Sequence, residues 1–273
     1  MRAKPSKTPA FDVRAALEAT REPSRPSKAP ELAWTKEQKK IWTEAKRQFS
    51  EDLSRQFSHA IEKSLRSHFP ETRSGEGMGT SAASAHGIKS VDVAFNIEGL
   101  FLGLGVSVKT IGFAEDKRGY GHNFKRITEE WTTETVLYHR YMPVSVIVGL
   151  FFMPWDAVED RPRISSLSYA AAKFRGFQGR VSIREDFELM ERIYIGLFKP
   201  DGTVRFVDVR TSLGSLQIPT ESQLLTFETI KDDLVRLFRE RNPKLRVKGM
   251  PEVNDRGQIT APSPELDEAF EAD

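Results

Sequence analysis

Asp92 and Lys109 are the two residues of this chain whose types and spacing best suit chemistry. Each lies in a run of alternating apolar residues, "VDVAF" and "GVSVKT", where a buried strand would favour another aliphatic side chain. A carboxylate and an ammonium on neighbouring strands suit hydrolysis of a phosphodiester. The carboxylate can hold a hard divalent cation such as Mg2+, which prefers oxygen ligands and keeps several waters. The cation polarises the phosphate and acidifies a bound water. The lysine can orient that water or neutralise charge growing on the phosphate. A second carboxylate is needed to hold the metal against the substrate. Glu130 and Glu134 are four residues apart on a helical stretch and so share a face.

The elements that must position these groups follow from periodicity. "TKEQ" at Thr35–Gln38 fits a capping box. After it Ile41, Ala45, Phe49, Leu53, Phe57, Ile61, Leu65 and Phe69 recur every four residues, which predicts one long amphipathic helix, or two joined end to end, closing at Pro70. "ETRSGEGMGTSAASAHG" reads as a mobile loop. The period then changes to two: Val91, Val93 and Phe95 alternate, Asn96–Gly99 supplies a turn with Glu98 toward solvent, and Leu100–Phe113 alternates again, an antiparallel hairpin. A helix is expected from Asn123 to about His139, with Phe124, Ile127, Trp131 and Tyr138 inward, followed by a buried strand over Pro143–Phe152. A short helix in "SSLSYAAAKFRGF", a second hairpin about Pro200-Asp201-Gly202, and a last helix in "PTESQLLTFETIKDDLVRLFRER" complete the order. The expected class is α/β, a mixed central sheet flanked by helices, with a long N-terminal helix and flexible tails.

Composition narrows the function classes. The chain has 273 residues, 38% hydrophobic and 29% charged, with a formal net charge of +2. No apolar run approaches the ~18 residues that span a membrane, and the first residues lack the apolar stretch of a secretory signal. With no cysteine, disulfides and thiolate metal sites are excluded, and a cytoplasmic setting is expected. The five histidines form no HxH or HxxxH pair, which argues against zinc. Residues 1–30 hold seven Lys/Arg against three acids, and residues 250–273 hold seven acids and only Arg256. These ends read as a flexible basic arm over 1–33 and an acidic flexible tail over 246–273, around a single domain at 34–245.

Because the overall charge is nearly balanced, one-sided local runs are informative. Six Lys/Arg and no acid lie between Arg161 and Arg184. Lys173, Arg175 and Arg180 in that run are candidate phosphate or base contacts. "GYGHNFKR" is a second candidate: its glycines permit close backbone approach, and His122, Asn123, Lys125 and Arg126 offer donors near a helix start.

Taken together, "VDVAF" and "GVSVKT" resemble the PD-(D/E)xK nuclease superfamily, to which restriction endonucleases and repair nucleases belong. The downstream polar helix and apolar strand ending in Pro are similar too, so the resemblance covers about residues 55 to 210. Asp92 matches the first acid and Lys109 the lysine. Val91 stands where the family often has Pro, and Ser107 where it has the second acid. Some members with Ser-x-Lys take that acid from the next helix, which here carries Glu129, Glu130 and Glu134. The resemblance thus implies Glu130 first and Glu134 second as the further metal ligand. In this superfamily the helix before the hairpin often adds a glutamate near the metal, which makes Glu62, beside Ile61 and Leu65, another candidate. The resemblance implies a restriction endonuclease-like fold and a Mg2+-dependent DNA endonuclease, with Mn2+ as a substitute. It implies double-stranded DNA as substrate and 3′-hydroxyl and 5′-phosphate products. A homodimer and a cognate methyltransferase system would accompany a restriction role. A repair or junction nuclease, or a non-catalytic DNA-binding or assembly protein on a nuclease-derived fold, is the alternative.

Overall fold

The computed structural model describes residues 11–20, 27, 33–75, 81–84, 87–97, 101–111, 120, 123–210 and 219–262, with backbone alone for 81–84, 87–90, 101 and 221. In chain order the elements are α1 (Arg14–Ala19), α2 (Lys36–Leu65), β1 (Arg73–Ser74), β2 (Ser81–Ser84), β3 (Gly87–Ser90), β4 (Val93–Ile97), β5 (Phe101–Thr110), α3 (Phe124–Tyr141), β6 (Val146–Pro154), α4 (Ser166–Phe174), β7 (Arg192–Phe198), β8 (Val204–Asp208), α5 (Phe227–Arg241), β9 (Glu252–Val253) and β10 (Ile259–Thr260). A six-stranded sheet runs β1-β4-β5-β6-β7-β8. Its centre, β5-β6-β7, is parallel, and the outer pairings are antiparallel. This is the expected mixed sheet flanked by helices. No helix among the described residues is long and apolar enough to cross a membrane.

The sheet is buried on both faces, so its central strands read as near-continuous apolar runs. Val106, Val108, Val148, Leu150 and Phe152 face one layer, where α1, α2 and α5 contribute Ala16, Phe57, Ile61, Leu234 and Phe238. Ile147, Phe151, Ile193 and Ile195 face the other layer with Ile127 and Trp131 of α3 and Leu167, Ala171 and Phe174 of α4. Odd-numbered residues of β5 beyond Gly105 therefore point toward α3. Ser107 and Lys109 are two of these.

The capping box at Thr35 and Gln38 is present, each side chain bonded to the other's backbone N–H. The four-residue stripe that follows is buried only in its second half. Leu53, Phe57, Ile61, Leu65 and Phe69 are in the core, whereas Ile41 is exposed and Trp42 instead packs edge-on against Trp34. Within the segment read as a loop, β1 pairs with β4, and β2 begins an antiparallel ribbon with β3. Small side chains in "SAAS" hid that alternation. The last helix starts at Phe227, not near Pro219, because Thr226 caps it and Leu225 is bridged to Phe206.

Both expected tails lose residues to the domain. Val13 and Ala16 are buried, and Phe11 stacks on Phe227 with ring centroids 4.4 Å apart. At the other end Met250 is fully buried, and Arg239 donates to the carbonyls of Leu245 at 2.8 Å and Pro251 at 3.0 Å. The domain thus takes in residues 11–20 and 246–262, which anchor through a few scattered apolar side chains that a charge count does not weigh. Residues 1–10 and 263–273 lie outside the described residues. Met250→Ala is expected to cost about 2–5 kcal/mol, seen as a lower urea midpoint. A midpoint equal to wild type would show that this segment adds nothing to the core.

Candidate active site

Asp92 stands at a bend immediately before β4, and Val93 pairs with Val106 of β5. That register brings the carboxylate back onto β5, where Asp92 Oδ2 accepts from the Val108 N–H at 2.7 Å. The Ser107 hydroxyl also lies against this carboxyl. Burial pushes the Asp92 pKa up. Lys109, the Val108 N–H and Ser107 oppose that effect without overcoming it, and nearby Glu134 adds to it.

The helix above supplies the partner acid. Glu134 Oε2 accepts from the Ser107 hydroxyl at 2.7 Å, and Glu134 Oε1 accepts from Lys109 Nζ at 3.2 Å. Glu130 lies one turn earlier. Its Oε2 is 3.5 Å from Lys109 Nζ, while its Oε1 takes Arg126 Nη1 at 2.8 Å. The two glutamates share a face, as their spacing requires, but differ in depth: the Glu134 side chain is 16% exposed and Glu130 35%. Glu134, the second choice drawn from sequence, is the one bonded to Ser107.

Lys109 is held charged. Burial alone would lower its pKa, but Glu134, Asp92 and Glu130 together raise it above the usual lysine value. Around neutral pH it is a cation and hydrogen-bond donor, not a base. Tyr138 lines the same side of the site, and burial together with Glu134 and Asp92 raises its phenol pKa. An open groove of about 260 Å³ runs beside Glu129, Glu130, Thr133 and Glu134 on the outer side of α3.

Two residues that sequence reasoning gave no role complete the geometry. The Trp131 indole donates to Ser107 Oγ at 3.2 Å. Gly149 pairs with Ser107 in the parallel ladder, and a Cβ there would come within 3.0 Å of the Trp131 ring and 2.9 Å of Met190 Sδ. A glycine inside the branched run "VIVGLFF" was the available signal, since glycine within a strand often marks a close approach. Trp131 carried a weaker one, lying three residues before Glu134.

Glu62 belongs to another cluster, accepting from Ser74 and Arg66 with His59 Nδ1 3.6 Å away. Among the described residues, no three His, Asp or Glu side chains converge to hold a metal ion. Asp92 and Glu134, both against Ser107, are a two-carboxylate oxygen set. This fits Mg2+, which is commonly held by one or two carboxylates and its own waters. It does not fit a closed zinc cage.

Of the expected DNA contacts, Lys125 and Arg126 project from the first turn of α3, at 82% and 69% exposure, paired with Glu129 and Glu130. Asn123 sits at the start of that helix. Lys173 and Arg175 lie at the end of α4, where Arg175 Nε donates to the Val209 carbonyl at 3.1 Å. Arg180 is a correction. Its side chain is buried and donates to Glu191 Oε1 at 3.0 Å and to the Pro143 carbonyl at 3.0 Å, so it cannot reach a phosphate. Arg241 donates to the same Glu191 oxygen, and His139 lies 3.3 Å from the other. Arg180 looked free because Glu191 lies beyond the acid-free run. Glu98 and His122 fall outside the described residues.

Two stability measurements check these assignments. Arg180→Ala should destabilise by about 1.5–3 kcal/mol, the range of a hydrogen bond to a charged group, because Glu191 loses one buried partner and keeps Arg241 and His139. A shift below 1 kcal/mol would contradict a buried pair. For Asp92, a raised folded pKa means that ionisation costs the native state, and the cost grows as pH rises through that pKa. With chelator present, Asp92→Asn should therefore gain stability relative to wild type as pH rises above the ordinary aspartate value of about 3.9. A difference that stays flat or shrinks would contradict the burial argument.

No protein-family model, curated protein or solved structure matches this chain.

Proposed function

We propose that the protein is a metal-dependent deoxyribonuclease that hydrolyses phosphodiester bonds of double-stranded DNA. The observation that carries this reading is the convergence of Asp92 and Glu134 on the Ser107 hydroxyl, from a strand entry and a helix, with Lys109 bonded to Glu134 from the end of β5. Asp92 and Glu134 would hold Mg2+, with Mn2+ as a substitute. When bound, such an ion supplies charge for the phosphate and an acidified water. Lys109, kept protonated by its three acids, donates to a phosphate oxygen and offsets the charge that grows there. To do so its ammonium turns from Glu130 toward the substrate, and the Arg126–Glu130 pair gives Glu130 a partner that stays behind. Water attack at phosphorus with departure of the 3′-oxygen leaves 3′-hydroxyl and 5′-phosphate ends, as the PD-(D/E)xK resemblance implies.

The DNA would cross the open side of α3. Asn123, Lys125 and Arg126 lie on the helix that carries Glu134, and Lys173 and Arg175 on the neighbouring α4. A restriction role in the cytoplasm, with a homodimer cutting both strands and a companion methyltransferase, is the form this reading takes. One observation favours a second reading. Both Glu134 oxygens already have protein partners, as in a structural ion cluster, and this suits a non-catalytic DNA-binding protein on the same frame.

Incubation with duplex, branched and single-stranded DNA separates the alternatives. Duplex cleavage with Mg2+, abolished by chelator and reduced at least about a hundredfold in Glu134→Gln and Lys109→Met, is expected. DNA binding without cleavage would favour the second reading. Cleavage unchanged in both variants would overturn the site, and preference for branched DNA would move the role to junction processing.

A further inference from the structure

Ser107 is only 3% exposed at the middle of the sheet, yet its side chain touches two acids and an indole. A buried hydroxyl in such a place is commonly a satisfied core serine. The direction of its hydrogen bonds says more. Indole Nε1–H can only donate, and an ionised carboxylate can only accept. Facing Trp131, Ser107 Oγ must therefore act as acceptor, and its one proton is left for the carboxylates, with Glu134 Oε2 at 2.7 Å. The relay runs one way, from Trp131 to Ser107 to Glu134.

The parts that set this relay are rigid. Trp131 is 1% exposed and wedged against Phe174 at 5.0 Å between ring centroids. Its ring lies over Gly149, where a Cβ would collide with it. Gly149 is in turn the ladder partner of Ser107, so indole, glycine and hydroxyl are fixed in a single register. Glutamate has a long flexible side chain whose free rotamers would scatter its carboxylate across the mouth of the site. Two bonds from opposite sides, Ser107 on Oε2 and Lys109 on Oε1, remove that freedom. Ser107 is the more buried of the two and is itself held by Trp131, so its bond to Glu134 is the one with least freedom to move.

We infer that Ser107, oriented by Trp131, is the positioning residue that fixes the Glu134 carboxylate in the geometry needed to hold a divalent cation. The inference rests on the deoxyribonuclease reading for the use of that carboxylate, but the relay itself is testable without metal or activity. Groups that hydrogen-bond to metal ligands typically alter metal affinity by roughly 10–100-fold when removed. A serine that merely satisfies the indole would alter stability and leave affinity alone.

The experiment combines two readouts on the full chain. The Trp131 indole N–H resonance, assigned by its loss in Trp131→Phe, should move in Glu134→Gln and in Ser107→Ala, and stay in place in Glu129→Gln. Mn2+ titration should show affinity about tenfold or more weaker in Ser107→Ala, and weakened in the same direction in Trp131→Phe, with both variants folded by circular dichroism. An indole resonance indifferent to Glu134→Gln overturns the relay. Wild-type Mn2+ affinity in a folded Ser107→Ala overturns the positioning role. A wild-type chain that binds no Mn2+, with an indole that still answers to Glu134→Gln, supports the relay and overturns the nuclease reading.

Discussion

The Glu134 carboxylate, bonded at once to the Ser107 hydroxyl and the Lys109 ammonium, is the link on which the site depends. It joins the α3 layer to the sheet through polar groups in a region otherwise packed with aromatic rings. A polar link in such a place is costly unless every member is satisfied. Here the accounting closes around Ser107, Lys109, Asp92 and Trp131. Remove any one, and a buried donor or acceptor loses its partner. The same link also sets the electrostatics: three acids around one lysine hold Lys109 protonated, while burial holds back ionisation of Asp92.

The rest of the fold makes that link possible. The antiparallel pairing of β4 with β5 returns Asp92 to Val108, and the parallel pairing of β5 with β6 sets Gly149 beside Ser107. Gly149 gives room for the Trp131 ring, and so fixes how closely α3 approaches the sheet. On the opposite face, α2 and α5 bury Phe57, Ile61, Leu234 and Phe238 and keep the sheet rigid beneath the site. At the far end of α3, Glu191 gathers Arg180, Arg241 and His139 and pins that helix end to α5 and the start of β7. Burial would raise the Glu191 pKa, but His139, the Ile147 N–H and Arg180 lower it overall, so the acid stays ionised.

Much of this was legible in the sequence, for reasons of period and chemistry. Strands over Val93 to Thr110 announced themselves by alternation, and Lys109 by standing where an aliphatic side chain was due. The choice between Glu130 and Glu134 was not legible. Residues four apart share a helix face, and only the height of α3 over Ser107 separates them. Arg180 was misread because a charge run is scored over neighbours in sequence, whereas its partner Glu191 lies across a loop. The ends were misread for a related reason: Val13 and Met250 sit in segments where charged residues outnumber the few apolar ones, and their burial depends on contacts with distant parts of the chain. Ser107 was noticed as a missing acid, but the indole that orients it becomes visible only when sheet and helix are stacked.

The central claim is that Asp92 and Glu134 together form a cation site at the carboxyl end of β5. A crystal soaked in Mn2+ and measured near the manganese absorption edge tests it most directly. The account predicts an anomalous peak between the two carboxylates, about 2–2.3 Å from an oxygen of each. A crystal with no such peak, or with manganese only in the outer groove by Glu129 and Thr133, would contradict it.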